Sequence, residues 1–322
     1  MDKQGFINYL EKKDFAVVTI NNQVKYVEQF FEKVKKEDIQ VTKPDILKFL
    51  EYLKNSRKIN NRYRSIYLVA VNHYFSFLYE EEKIAKNPCL FLKIRGIYKK
   101  KLHTVYTIEE LDLLFDTYYQ LFVRDFDDSH IPKNQKQQST LSKERNALIL
   151  SVLINQGTTT GEILKMEVGD VDLIKATLKI RGGKLLKDRI LPLKATQIGL
   201  FMNYLQNIRP QILEFQRQES DFLFLTLPDI GKNDKKKNQK NTLALTHCAF
   251  FTLTKQIKTI DRQFIKLQQV RVSLITFWIK TQGLRKAQYL AGHRYILTTE
   301  KYVTNNLDGL IDDINNLNPF DF

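Results

Sequence analysis

Through the first third of the chain, apolar residues recur at spacings of three and four, the period of a helix with one buried face. In "TINNQVKYVEQFFEKVKK" they are Val24, Val27, Phe30, Phe31 and Val34, following Thr19 as the expected cap. In "TKPDILKFLEYLKNS" they are Ile46, Phe49, Leu50 and Leu53, after Thr42 as cap and with Pro44 in the first turn. A third helix is expected over about Asn60 to Glu81, burying Tyr67, Val71, Tyr74, Phe75 and Leu78. Residues 1–95 therefore predict a helical bundle, closed by Asn87-Pro88. The stretch 96–106 loses the periodicity and predicts an exposed linker, rich in basic side chains.

A second pattern starts at Thr107, where "TIEELDLLFDTYYQLF" opens with Thr and Glu at capping-box spacing. Residues 124–143 are polar and aperiodic and predict a mobile insertion. The apolar "ERNALILSVLINQG" predicts a buried helix ending at Gly157. The period then changes: "ATLKIRGGKLLKDRILPL" has β-branched runs on both sides of Gly182-Gly183, as in a hairpin or small sheet. A polar, lysine-rich excursion at 231–241 is expected to be disordered when unliganded. A closing helix, about 305–317, aligns Leu307, Leu310, Ile311, Ile314 and Leu317. The fold class is thus mostly α with a small antiparallel sheet, in two domains, 1–95 and 107–322.

Charge alters the functional picture more than length does. The 322 residues carry 51 Lys and Arg against 36 Asp and Glu, a formal net charge of +15, which points to a polyanionic partner. The cations alternate with aromatics and helical patterns, as expected of a folded surface that follows a phosphate backbone. Candidate contacts are Arg62 and Arg64 in the third helix, Lys99, Lys100 and Lys101 in the linker, and Arg181, Lys187 and Arg294 further on. The longest apolar run, "ALILSVLI", is too short to span a bilayer, and the charged start lacks a signal-peptide core, so no membrane partner and a cytoplasmic location are expected. Cys89 and Cys248 stand far apart without metal-ligand spacing and fit ordinary thiols.

The candidate chemistry lies in "AGHRYILTTEKYV", where His293 precedes Tyr302 by nine residues. On one unbroken helix nine steps would put the two on opposite faces, so a shared site requires a break between them. Gly292 is suited to close a preceding helix, and Thr298 or Thr299 to cap the next.

Taken in order, these segments resemble the tyrosine recombinase (phage integrase) family over nearly the whole chain. The family's closing motif is matched by Leu290, Gly292 and His293, then Thr298-Thr299 and Tyr302, with Ala291 where the family has a second Leu. "GGKLLKDRILPL" resembles the family hairpin, which places its lysine at Lys184. "QQVRVSLITFWIKTQG" resembles the His-x-x-Arg box, with Arg271 at the arginine and Gln268 at the histidine. The resemblance implies that Tyr302 attacks a DNA phosphodiester to form a 3′-phosphotyrosine, that Arg271 and His293 hold the phosphate, and that Lys184 protonates the leaving oxygen. It implies no metal and no cofactor. Its partners would be double-stranded DNA, further copies of the chain docking through the last helix, and a possible partner recombinase; bound to DNA, the protein would be nucleoid-associated.

One departure bears directly on activity. The family's first arginine falls in Thr-Gly-Leu-Arg-x-x-Glu, whereas here the stretch reads "QGTTTGEIL", with Thr159 at the arginine and Gly157 and Glu162 retained. A hydroxyl does not replace a bidentate cation, and loss of a transition-state donor costs about 2.7–4 kcal/mol. Arg181 and Arg294 are the candidates to cover for it. Two functions stand side by side: a site-specific recombinase, or a recombinase-like protein that binds specific DNA without cutting. More general alternatives also remain: Lys184 as one of several phosphate contacts, Arg271 as a structural ion pair, and an unrelated basic nucleic-acid-binding protein.

Overall fold

The computed structural model describes residues 1–96, 105–183, 185–227, 245 and 247–303. The chain forms two compact units, Met1–Lys101 and Leu102–Phe322. Among the described residues no helix is long and apolar enough to cross a membrane. The expected closing helix at 305–317, the excursion at 231–241, Lys99 to Lys101 and Lys184 lie outside the described residues.

Four helices build the first unit: α1 (Lys3–Lys12), α2 (Val17–Val34), α3 (Lys43–Asn55) and α4 (Asn61–Glu80). Thr42 and Asp45 form the capping box of α3, with Pro44 in its first turn, and the Asn60 side chain caps α4. The start of α2 departs from expectation. The helix begins at Val17 behind Ala16, so Thr19 lies inside the first turn and does not cap it. The core is aromatic: Phe6, Phe30, Phe49, Tyr74, Phe75 and Phe77 are buried, several of them edge to face.

The second unit opens with α5 (Ile108–Tyr119), whose Thr107–Glu110 capping box forms as the spacing predicts. The expectation of a mobile insertion over 124–143 is corrected. The long helix α6 (Lys133–Gln156) starts at Lys133, directly after Pro132, and Leu141 within it reaches the core. Helix α6 ends at Gly157, whose φ of 56° is left-handed, and the single turn α7 (Thr160–Ile163) follows.

The hairpin proves to be two strands of a three-stranded antiparallel sheet: β1 (Val171–Asp172), β2 (Thr177–Ile180) and β3 (Arg189–Pro192), in that order. Register pairs Leu178 with Leu191 and Ile180 with Arg189. These four residues point inward, while Lys179 and Ile190 point out.

Helices α8 (Ala195–Asn203), α9 (Arg209–Gln216) and α10 (His247–Ile260) complete the shell. Then α11 (Gln268–Ala291), interrupted at Gly283, runs through the unit and stops at Gly292, and α12 (Ile296–Glu300) follows. Cys89 and Cys248 are free thiols.

Candidate active site

The connection between α11 and α12 answers the nine-residue question. Gly292 caps α11 with a φ of 70°, and α12 starts after an extended Tyr295. The chain reverses within three residues, and the His293 and Tyr302 rings stack with centroids 5.6 Å apart. The break is where the sequence places it, but the caps differ. Thr298 and Thr299 lie inside α12 and do not cap it; Thr299 Oγ1 faces His293 Nδ1 instead. Gly292 is required on a second ground: a Cβ there would stand 2.5 Å from Arg189 Nη1.

A cavity of about 480 Å³ opens beside this stack. Its walls include Gln268, Arg271, His293 and Tyr302, with Thr158, Thr159 and Thr160 from the start of α7, Leu185 and Leu186 from the β2–β3 connection, and Thr298 from α12. Four of the five residues that the resemblance marks as catalytic thus meet at one site, together with Thr159. Lys184, the fifth, lies outside the described residues, immediately before Leu185. The connection is tied to the motif by the backbone: Lys187 N donates to Gly292 O at 2.8 Å, and Leu186 pairs with His293.

Arg271 is buried and anchored by the backbone on two sides. Its Nη1 donates to Gly157 O and its Nη2 to Ala291 O at 2.7 Å, so both helix ends that frame the site converge on one guanidinium. Nη2 also lies 3.2 Å from His293 Nε2. Because a guanidinium can only donate, Nε2 is the acceptor and unprotonated, and Nδ1 carries the proton toward Thr299 Oγ1, 3.0 Å away. His293 is 4% exposed. Burial, followed by the charges of Arg271 and Arg189, lowers its pKa to about 4, which agrees with a neutral ring.

Beneath Arg271 lies an ion cluster that sequence reasoning passed over. Arg189 is wholly buried and its Nη1 donates to Glu162 Oε1 at 2.5 Å. Glu162 Oε2 accepts from Thr159 N at 2.7 Å and from Thr159 Oγ1 at 3.0 Å, and stands 3.9 Å from Arg271 Nη1. Burial alone pushes the Glu162 carboxyl up, yet the Arg189 hydrogen bond and charge, the Thr159 backbone donor and Arg271 hold it below its ordinary value. A signal for Arg189 was present: strict alternation along "RILPL" puts it on the inward face with Leu191.

Thr159 itself is a helix cap. Its hydroxyl accepts from Glu162 N at 3.1 Å while donating to the Glu162 carboxylate. Neither expected substitute for the missing arginine lines the cavity. Arg181 is held by Glu167 at 2.5 Å and Asp170 at 2.9 Å, because β2 carries it beside the turn after α7. Arg294 is exposed and is not among the residues that line the cavity. Among the other candidate phosphate contacts, Arg62 and Lys187 are exposed. Arg64 instead ties α4 to α3, donating to Leu50 O at 3.0 Å and to Asn61 Oδ1 at 2.9 Å.

Comparison with known proteins follows the same lines. The chain is 28% identical over 304 residues to the tyrosine recombinase XerA of Pyrococcus horikoshii, covering 93% of this chain and 87% of that protein. It is 26% identical over 239 residues to the tyrosine recombinase XerD of Staphylococcus haemolyticus, covering 73% and 69%. Among solved structures, XerH site-specific recombinase bound to difH substrate in a pre-cleavage complex matches with a TM-score of 0.65 at 19% identity, over 97% of this chain and 84% of that one. A lambda integrase dimer bound to a COC′ core site matches with a TM-score of 0.59 at 11% identity, over 94% and 93%. These likenesses place the fold among two-domain tyrosine recombinases. The model of the phage integrase family matches residues 130–308, more than half of the chain and a span that holds every residue of the cavity, so the chain belongs to that family.

Proposed function

We propose that the protein is a site-specific DNA recombinase that cuts and rejoins strands through a phosphotyrosine at Tyr302. One observation carries this reading: a single cavity gathers Tyr302, His293, Arg271 and Gln268 from sequence positions 34 residues apart, as the family's chemistry requires. In the step envisaged, Tyr302 Oη bonds to phosphorus, the bond to the 5′ oxygen breaks, and the strand is held as a 3′-phosphotyrosine until another 5′ hydroxyl reverses the reaction. The phenol gives up one proton and the leaving oxygen takes one. The unprotonated Nε2 of His293 can make the first transfer once the phosphate draws Arg271 Nη2 away from it, and Lys184 is assigned the second by family resemblance. Arg271 stabilises charge on the non-bridging oxygens, and Gln268 adds a neutral donor.

Double-stranded DNA is the partner, engaged by Arg62, Lys187, Arg294 and the basic stretch around Lys99, Lys100 and Lys101, with residues 1–95 positioning the duplex and 107–322 carrying the chemistry. Copies of the chain work in pairs on two DNA sites; the lambda integrase dimer bound to a COC′ core site supports self-association on DNA. A second reading has its own support: Thr159 is a cap, and neither Arg181 nor Arg294 replaces the absent cation at the cavity wall. On that reading the protein binds specific DNA as an accessory factor and does not cut.

Covalent trapping separates the two. Nicked duplexes from the DNA flanking the gene are incubated with the wild-type protein and with Tyr302→Phe, and run on a denaturing gel. A DNA-linked band from the wild type that is lost in Tyr302→Phe supports cleavage; specific binding with no band supports the accessory role. Thr159→Arg sharpens the result. It removes the α7 cap, at about 0.5–2 kcal/mol of stability, and restores a cation, so a faster adduct marks an attenuated but intact site.

A further inference from the structure

Two adjacent threonines at the cavity wall differ in what their hydroxyl groups do. That of Thr159 is occupied twice, by the backbone and the carboxylate of Glu162. That of Thr158 is buried, and has no hydrogen-bond partner among the described residues. Thr158 is 1% exposed and lines the same cavity as Arg271, His293 and Tyr302. A buried hydroxyl without a partner is unfavourable compared with an apolar group of the same shape, and such groups call for an explanation in function. Valine would fill the volume of Thr158 without that penalty. The other unpaired donor of this region, Arg189 Nε, is not at the cavity wall.

We infer that the Thr158 hydroxyl donates a hydrogen bond to a non-bridging oxygen of the DNA phosphate held in this cavity, a neutral contact on the wall where the arginine is absent. This rests on the proposed function, because a DNA phosphate must enter the cavity. Three features set the geometry. Gly157 turns the chain out of α6, its carbonyl is fastened to Arg271, and the Thr159 cap fixes the following residue. The Thr158 backbone is therefore held between two anchored neighbours, so that only a turn of its own side chain is needed to present the hydroxyl to the phosphate.

The test uses the full-length protein with Thr158→Val, which keeps the shape and removes the donor, and Thr158→Ser, which keeps the donor. Without DNA, Thr158→Val should melt at or above the wild-type temperature; a lower melting temperature would reveal a structural partner and overturn the inference. With a scissile phosphodiester, Thr158→Val should slow adduct formation roughly 10- to 100-fold and Thr158→Ser should recover most of it. With the two methylphosphonate diastereomers, each lacking one non-bridging oxygen, the valine penalty should vanish for one isomer and persist for the other. A wild-type rate in Thr158→Val, or an equal penalty on both isomers, overturns the inference. Should wild type form no adduct with any duplex, the cleavage reading fails by itself. Affinity then judges Thr158: Thr158→Val should bind the phosphodiester duplex several-fold more weakly, and equal affinity rejects the contact.

Discussion

The two units solve the problem of burial in opposite ways. Among the described residues, the first buries Gln23 and Asn87 but no charged side chain, and its interior is a set of interlocked aromatic rings. The second buries Lys143, Arg145, Glu162, Asp170, Arg189 and Arg271. A buried ion pair contributes little net stability over apolar packing, because desolvation offsets the attraction. The cluster beneath the cavity is thus poorly explained as a stabiliser. Under the proposed function it is the support that orients Arg271 toward a phosphate. The contrast separates a unit built for packing from one that buries charge around its cavity.

The largest expected effect tests that contrast at its centre. Glu162→Ala leaves Arg189 and Arg271 facing each other without the intervening anion, and should cost about 3–5 kcal/mol. The chain has one tryptophan, Trp278 in the second unit, so the loss should show as a lower urea midpoint in tryptophan fluorescence. An unchanged midpoint would mean that the cluster is solvated and that the comparison fails.

Next comes pH. His293 has a folded pKa of about 4 against an ordinary 6.5, so on acidification the unfolded chain takes up the proton first. The stability linked to a neutral His293 is present above about pH 6.5 and is lost as the pH falls toward 4. Urea midpoints of His293→Gln should slope less across that window than those of wild type. An equal slope would mean that His293 titrates normally when folded.

Smaller effects are expected in the first unit. Tyr74 is fully buried; its hydroxyl accepts from Asp2 N at 2.9 Å and donates to Asp38 Oδ2 at 2.7 Å. Tyr74→Phe removes both bonds while keeping the ring, and should cost about 1 kcal/mol in unfolding followed by far-ultraviolet circular dichroism. A loss comparable to that of Glu162→Ala would erase the distinction between the units. The smallest is Lys3→Ala at the exposed Lys3–Glu28 pair, which should change stability by about 1 kcal/mol or less.

How far the sequence could be read depended on whether a feature was local. The Thr42 cap, the capping box at Thr107, the end of α6 at Gly157 and the break at Gly292 are all settled by a few neighbouring residues, and all were legible. The start of α6 was not. Polar residues dominate 133–140, and the helix there is extended from the buried segment that follows. Thr19 failed as a cap because the helix starts earlier, at Val17, where local preference is weak.

The composition and the periodicities were enough to determine a mostly helical fold and its small sheet, and the family resemblance named Gln268, Arg271, His293 and Tyr302, which the cavity gathers. Hydrogen-bond partners were decided only by the tertiary structure. Arg181 and Arg189 are neighbours in one hairpin and look alike in sequence, yet one is drawn to Glu167 and Asp170 while the other is sealed against Glu162. Thr158 and Thr159 are identical side chains one residue apart, and only the second has its hydroxyl occupied. The physical reasons differ. Side-chain type specifies what a group can donate or accept; for the two arginines the partner arrives from another part of the chain, whereas Thr159 is filled locally by Glu162 and Thr158 is left without a partner among the described residues.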